Sequence, residues 1–359
     1  MTDEKFNGLT VEELRSLFFD QDALRLPPVR LFRIEARGIR IYYTFDKGYA
    51  EMFPGITGML GKVLPTSEEL IKWKCQMGYD ESFSYMNERA DYGSLMHSLF
   101  VPLSISGTVN LDEIHDITAG WCELRGIPFN DEWPRELKSD LLAYAQWMID
   151  YQVKPIAIEV PLITRKYQVA TMVDMFCKLM YPKKGFWEEK YKSGTQAGQP
   201  KETIRDVETY AIVDFKSRKK SYVTETDELQ LEFGKQMVVE NYPEFDEKLI
   251  SLFSWHPKEW ISSPGYYFTE HTGKHDTEEL ELLSRLYQKR VNLNEVIRTE
   301  TRGVVDIRKK DLSENYEIRT LIDIINSYKT DENDRTNQKE GPDSTPGHRD
   351  PQDEASLDR

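Results

Sequence analysis

Ala211-Ile212-Val213-Asp214-Phe215-Lys216-Ser217 decides how this chain is read. A short apolar strand runs into an acid, an aromatic and a lysine. About 40 residues upstream, Gln168-Val169-Ala170-Thr171-Met172-Val173-Asp174-Met175-Phe176 reads as a second apolar strand holding a lone acid. An unpaired carboxylate in apolar surroundings costs several kcal/mol, so such an acid needs a partner. Period 2 puts Asp214 and Lys216 on one strand face. Two acids on neighbouring strands, one followed by a lysine, suggest a divalent-cation site. The Phe215 backbone carbonyl offers a third oxygen.

Around that stretch the pattern is mixed. Upstream, residues 9–19 predict a short amphipathic helix, and residues 30–46 are β-rich, with Ile39–Phe45 the clearest strand. Phe53–Leu60 reads as a loop entering a helix. Thr66 or Ser67 can cap the next helix, with Glu69 placed for a capping box and Leu70, Trp73 and Met77 on one face. Residues 85–103 carry a helical pattern that includes Gly93 and, four residues on, His97. Glycine costs about 1 kcal/mol inside a helix, so Gly93 implies close approach by another element. His97 shares its face. Taken alone, it reads first as an ordinary core or half-exposed histidine on an amphipathic helix. Helices at about 110–126 and 134–152 follow.

The period then drops to 2 over Pro155–Leu162, which embeds Glu159, and over 168–181. Residues 183–206 are polar and charged, an exposed hairpin extension or a flexible insertion. A strand at 207–217, a helix at 226–240 with Gln230, Phe233 and Gln236, and strands at 249–255 and 266–269 come next. The remainder reads as a charged helix over 276–299, a strand at 303–308, a helix at 313–328 and a disordered acidic tail over 330–359. The expected class is α+β. Residues 1–50 form an N-terminal helix and strands, 51–245 the core, and 246–329 an extension of it.

Composition narrows the function. The 359 residues are 39% hydrophobic and 12% aromatic, ample for a core. No apolar run approaches the ~20 residues of a membrane span. The acidic N-terminus lacks a signal-peptide core, so the expectation is a cytoplasmic protein with no membrane partner. Cys75, Cys122 and Cys177 form no C-x-x-C pair, which argues against structural zinc or an iron–sulfur cluster. The net charge of −15 does not by itself suggest nucleic acid, but the tail holds about a third of it. Arg218, Lys219 and Lys220 make a basic run beside Asp214. That run fits either phosphate contact or a solvated face. Carboxylates that hold Mg²⁺ or Mn²⁺, with a lysine in reach of a metal-bound water or a phosphate, suit phosphodiester hydrolysis. An imidazole ligand from His97 suits Mn²⁺ rather better.

Gly93-x-x-x-His97, Glu159-Val160-Pro161, Val173-Asp174, Val213-Asp214-Phe215-Lys216 and Gln230, in that order, resemble the PD-(D/E)XK nuclease superfamily. The likeness is to its RecB-like branch and to phage exonucleases, and it covers about residues 40–240. It implies a restriction-endonuclease-like core, a central mixed sheet flanked by helices. His97, Asp174 and Asp214 would be metal ligands, Lys216 the catalytic lysine, Gln230 a substrate-positioning residue, and Glu159 a further acid of the site. Two positions depart from the pattern: Thr171 replaces a glycine, and Gly234 stands where an aromatic is usual. The implied activity is a metal-dependent DNA exonuclease for end resection in recombination or repair, in a host cytoplasm if phage-encoded, with a single-strand annealing protein as partner. A non-catalytic nucleic-acid binder on a degenerate nuclease fold, and a sequence-specific endonuclease using residues after 245, are the alternatives. A metal-independent function unrelated to DNA would suit the acidic charge.

Overall fold

The computed structural model describes Arg25 and residues 28–293, apart from 37–38, 46, 191, 194 and 196–198. The chain divides after Arg302, and every described residue lies in the first unit. The expected helices at 9–19 and 313–328, the strand at 303–308 and the tail fall outside the described residues.

Three strands come first: β1 (Phe32–Ala36), β2 (Ile39–Thr44) and β3 (Glu51–Pro54), an antiparallel sheet in the order β1-β2-β3. Residues 51–54 therefore form a strand, where the sequence read from Phe53 as a loop. Pairing with β2 outweighs the turn preference of Pro54-Gly55: Gly55 N–H donates to the Arg40 carbonyl at 2.6 Å. A Cβ on Gly55 would lie 3.2 Å from that same oxygen, so the close crossing favours glycine.

Helix α1 (Ile56–Val63) follows directly, then α2 (Glu68–Met77), capped by Ser67, whose hydroxyl accepts from Leu70 N–H. The capping box from Thr66 to Glu69 is not the one used. Helix α2 buries none of its residues, and Trp73 rests against Tyr85 instead. Helix α3 (Tyr79–Ser106) is 28 residues long and stops at Gly107, whose left-handed φ of 70° suits glycine. Helices α4 (Ile114–Arg125) and α5 (Trp133–Asp150) complete the first half. Trp133, Leu137, Leu141, Tyr144 and Met148 recur at three or four residues and give α5 one buried apolar face.

The main sheet has the order β4-β5-β6-β7-β8, from β4 (Lys154–Thr164), β5 (Val169–Lys190), β6 (Pro200–Phe215), β7 (Ile250–Pro257) and β8 (Tyr266–Glu270). All neighbours are antiparallel except β6 and β7, which are parallel. A parallel join needs a crossover, which α6 (Glu225–Asn241) supplies. The protein is thus α+β, with a central mixed sheet flanked by helices.

Strand alternation sends Ala211, Val213 and Phe215 into a core with α3, α4 and α5, and Ile212 into a second core with α1, α6 and α7 (Thr277–Arg290). Strand β7, covered on both faces and both edges, is buried at all eight positions. The polar stretch 183–206 takes the hairpin form: β5 and β6 pair on from Lys183↔Arg205 to Lys190↔Pro200 as a two-stranded arm. Helix α7 is shorter than the 276–299 expected, ending at Arg290 with Val291 extended. Among the described residues no helix is long and apolar enough to cross a membrane.

Candidate metal centre

The centre begins with an aromatic cage. Phe100 and Tyr144 stack with centroids 3.9 Å apart. Phe215 meets both edge-on at 5.3 Å, and lies 5.8 Å from Trp147 and 6.0 Å from Trp255. Edge-to-face rings in a close-packed core hold their backbone rigidly. The peptide groups of Phe215 are thereby fixed between three strands and α3. Its N–H donates to the Asp174 carboxylate at 2.8 Å, and its carbonyl faces His97 Nε2 at 3.1 Å.

Interruptions of the ladder free the acids. The paired run of β5 with β6 starts at Met175↔Val213, one residue from Asp174 and Asp214. Pairing of β4 with β5 steps from Ile158↔Met175 to Val160↔Val173, and Glu159 between them has a left-handed φ of 45°. A non-glycine residue there stores about 1–3 kcal/mol of strain. The turn brings Glu159 Oε1 to 2.8 Å from His97 Nδ1. Asp174 Oδ1 lies 3.8 Å from the same nitrogen. Gly93, one turn before His97, lets Ser217 come within 3.4 Å of where a Cβ would be, the close approach its presence in a helix suggests.

His97, Glu159 and Asp174 each offer one donor atom, and the three lie within 4.8 Å of one another. Asp214 is outside this group. Its Oδ2 is 2.6 Å from Lys216 Nζ, which also lies 2.8 Å from Asp227 Oδ1. Of the sequence-derived ligands, His97 and Asp174 therefore come together with Glu159, beside the fixed Phe215 carbonyl, while Asp214 leans on the lysine. Gln230 on α6 accepts from Lys216 at 3.5 Å and donates to Thr57 Oγ1 at 2.6 Å, tying the lysine to α1.

Charge follows from this packing. Burial opposes a charged His97, but Asp174 and Glu159 outweigh it and push its pKa up to about 9. Burial raises Asp174 to about 6 against the pull of His97, and raises Asp214 to about 6 against that of Lys216. Burial opposes a charged Lys216 too, yet Asp214 and Asp227 hold its pKa above the usual lysine value. Half-buried carboxylates, one imidazole and a carbonyl are a donor set that fits a hard divalent cation such as Mg²⁺ or Mn²⁺. These groups line one cleft of about 570 Å³, which Arg33, Arg40 and Arg125 also line.

The basic run, which as sequence fits either phosphate contact or a solvated face, has acidic partners at two of its three positions. Arg218 pairs with Asp227 at 2.6 Å. Lys219 pairs with the fully buried Asp140 and lies 3.6 Å from Glu136. Glu136 in turn receives both Arg89 Nη groups, and Arg89 also donates to the Ser217 carbonyl. Only Lys220 of the three is exposed. Asp227 and Asp140 were not singled out in the sequence. The first had a visible signature, Thr224-x-x-Asp227 at a helix start, which forms a capping box. The second had none, being one acid on an amphipathic helix.

No protein-family model matches the chain, and no curated protein matches its sequence.

Proposed function

We propose that the protein is a divalent-cation-dependent phosphodiesterase acting on DNA, with a PD-(D/E)XK-type core. The observation that carries this reading is the convergence of Glu159, Asp174 and Asp214 from three adjacent strands with His97 and Lys216 in one cleft. Half-buried acids this close repel one another, and a bound cation would relieve that repulsion beyond what His97 and Lys216 supply. His97, Glu159 and Asp174 would hold the ion, with Asp214 and the Phe215 carbonyl beside them. A bound Mg²⁺ or Mn²⁺ supplies an activated water and neutralises charge on phosphoryl oxygens. Lys216, kept protonated by its two carboxylates, acts as a fixed positive charge rather than a proton acceptor. Gln230 steadies that ammonium and fixes α1 against α6 at the cleft. The order of the sequence motifs favours an exonuclease of the phage end-resection type, working with a single-strand annealing protein.

Digestion of end-labelled linear duplex and of closed circular DNA tests this, with Mn²⁺, Mg²⁺ or EDTA, for wild type, Asp214→Ala and Lys216→Ala. Metal-dependent loss of label from the linear duplex alone, abolished in both variants, is the expected result. Cleavage of the circle would replace the exonuclease with an endonuclease. DNA binding without cleavage under either metal would leave a non-catalytic binder.

A further inference from the structure

Lys216 has two carboxylate partners where a site of this kind needs one. Its ammonium lies 2.6 Å from Asp214 and 2.8 Å from Asp227, and its side chain is 18% exposed. The two acids are held very differently. Asp214 stands at the end of β6, and its Oδ2 contacts the lysine. Asp227 has three further contacts: its Oδ2 accepts from Arg218 at 2.6 Å, from Thr224 N–H at 2.9 Å and from Thr224 Oγ1 at 2.7 Å. It also sits in the first turn of α6, where the helix dipole favours a negative charge. Its side chain is only 8% exposed.

We propose that Asp227 is a positioning residue: it shares the Lys216 ammonium with Asp214 and thereby leaves Asp214 free to turn to a cation. This rests on the metal-centre reading. A buried ammonium with a single carboxylate partner holds that partner, because parting them would leave both charges uncompensated. With Asp227 in place the lysine keeps a carboxylate partner, shared with Arg218, when Asp214 turns away. The capping role alone does not require this. Thr224 and the Asp227 backbone N–H would close the first turn of α6 without any contact to Lys216.

The test is Mn²⁺ affinity measured by calorimetry on the full chain, without DNA. Wild type, Asp227→Asn, Lys216→Ala and the double variant form a cycle, with Thr224→Ala as the cap control. Removing the Asp227 charge weakens cation binding somewhat in any background, so the coupling through Lys216 is what counts. Asp227→Asn is expected to weaken Mn²⁺ binding about tenfold when Lys216 is present and about twofold or less in Lys216→Ala, a coupling of ordinary size for contacting charges. Thr224→Ala, which keeps the Lys216, Arg218 and Thr224 N–H contacts to Asp227, is expected to lower the melting temperature and to weaken Mn²⁺ binding by no more than about twofold. Equal losses in both Lys216 backgrounds, or a loss in Thr224→Ala as large as in Asp227→Asn, would overturn the role of Asp227 and leave the metal centre standing. Absence of Mn²⁺ binding in wild type would overturn both. If Asp227→Asn does not fold, Asp227→Gln runs the same cycle, since glutamine suits the third helical position of a capping box.

Discussion

On the function proposed above, loading the centre with a divalent cation is expected to expel a proton from His97. Both ring nitrogens of that residue face acceptors, the Glu159 carboxylate at 2.8 Å and the Phe215 carbonyl at 3.1 Å. A carbonyl can only accept, and an ionised carboxylate likewise, so the cation-free ring carries a proton on each nitrogen. The flanking acids hold that state to about pH 9 against the effect of burial. A metal ligand must offer a lone pair, so one proton has to leave. The sign follows. Below about pH 9 the cation competes with a proton, and affinity rises as pH rises. Each pH unit is worth about 1.4 kcal/mol, so moving from pH 7 to 8.5 tightens binding about 30-fold, or about 2 kcal/mol. Asp174 and Asp214, raised to about 6, are already ionised over this window and add little slope. Calorimetric titration with Mn²⁺ in two buffers of different ionisation heat, at pH 7.5, should give close to one proton released per ion. His97→Gln should remove both the proton release and the slope. Binding that is flat between pH 7 and 8.5, with no proton released, would refute the assignment of a charged His97 to the cation-free protein.

Two further outcomes concern stability. Asp140→Ala leaves Lys219 without its fully buried partner and takes the acceptor from Tyr92, so urea unfolding should show a loss of about 3–5 kcal/mol, with Asp140→Asn losing less. For Asp227, burial opposes ionisation, but Lys216 and Arg218 outweigh it and hold the carboxyl well below its usual range. A depressed acid contributes stability above its unfolded pKa near 4 and loses it as pH falls further. The stability difference between wild type and Asp227→Asn should therefore be full at pH 5 and shrink steadily below pH 4, as followed by thermal melts.

How much of this could be read from the residues depends on whether the signal was local. Asp214 and Lys216 share a face because strands alternate, and Gly93 and His97 share one because helices turn in 3.6 residues; both follow from spacing. The class and most of the strand order along the chain were legible for the same reason, whereas the polar composition of 183–206 left a hairpin and a flexible insertion both open. Arg218 and Lys219 show the limit. As sequence they are a cationic run open to phosphate, yet their partners Asp227 and Asp140 are supplied by two different helices, and only tertiary packing brings them together. Spacing likewise put Asp214 and Lys216 on one face without showing that the two would pair at 2.6 Å. The turn at Pro54-Gly55 gave way to pairing with β2, a contact between residues 15 apart that local preference does not contain.

Strand β7 has a consequence of another kind. Ile250-Ser251-Leu252-Phe253-Ser254-Trp255 is six residues with no charge, proline or glycine, rich in β-formers. Such a segment is a template for cross-β stacking whenever its edges are bare. In the native sheet β6 closes one edge over Ile250–Trp255, and β8 closes the other from Phe253 on. The guard on one side, β8, is five residues long and is itself the outer strand. Partial opening that peels β8 away exposes a self-complementary edge, and encounter between two such molecules is second order. Recovery on refolding should thus fall with protein concentration, and a charge placed on β8 would act as a gatekeeper for the strand beside it.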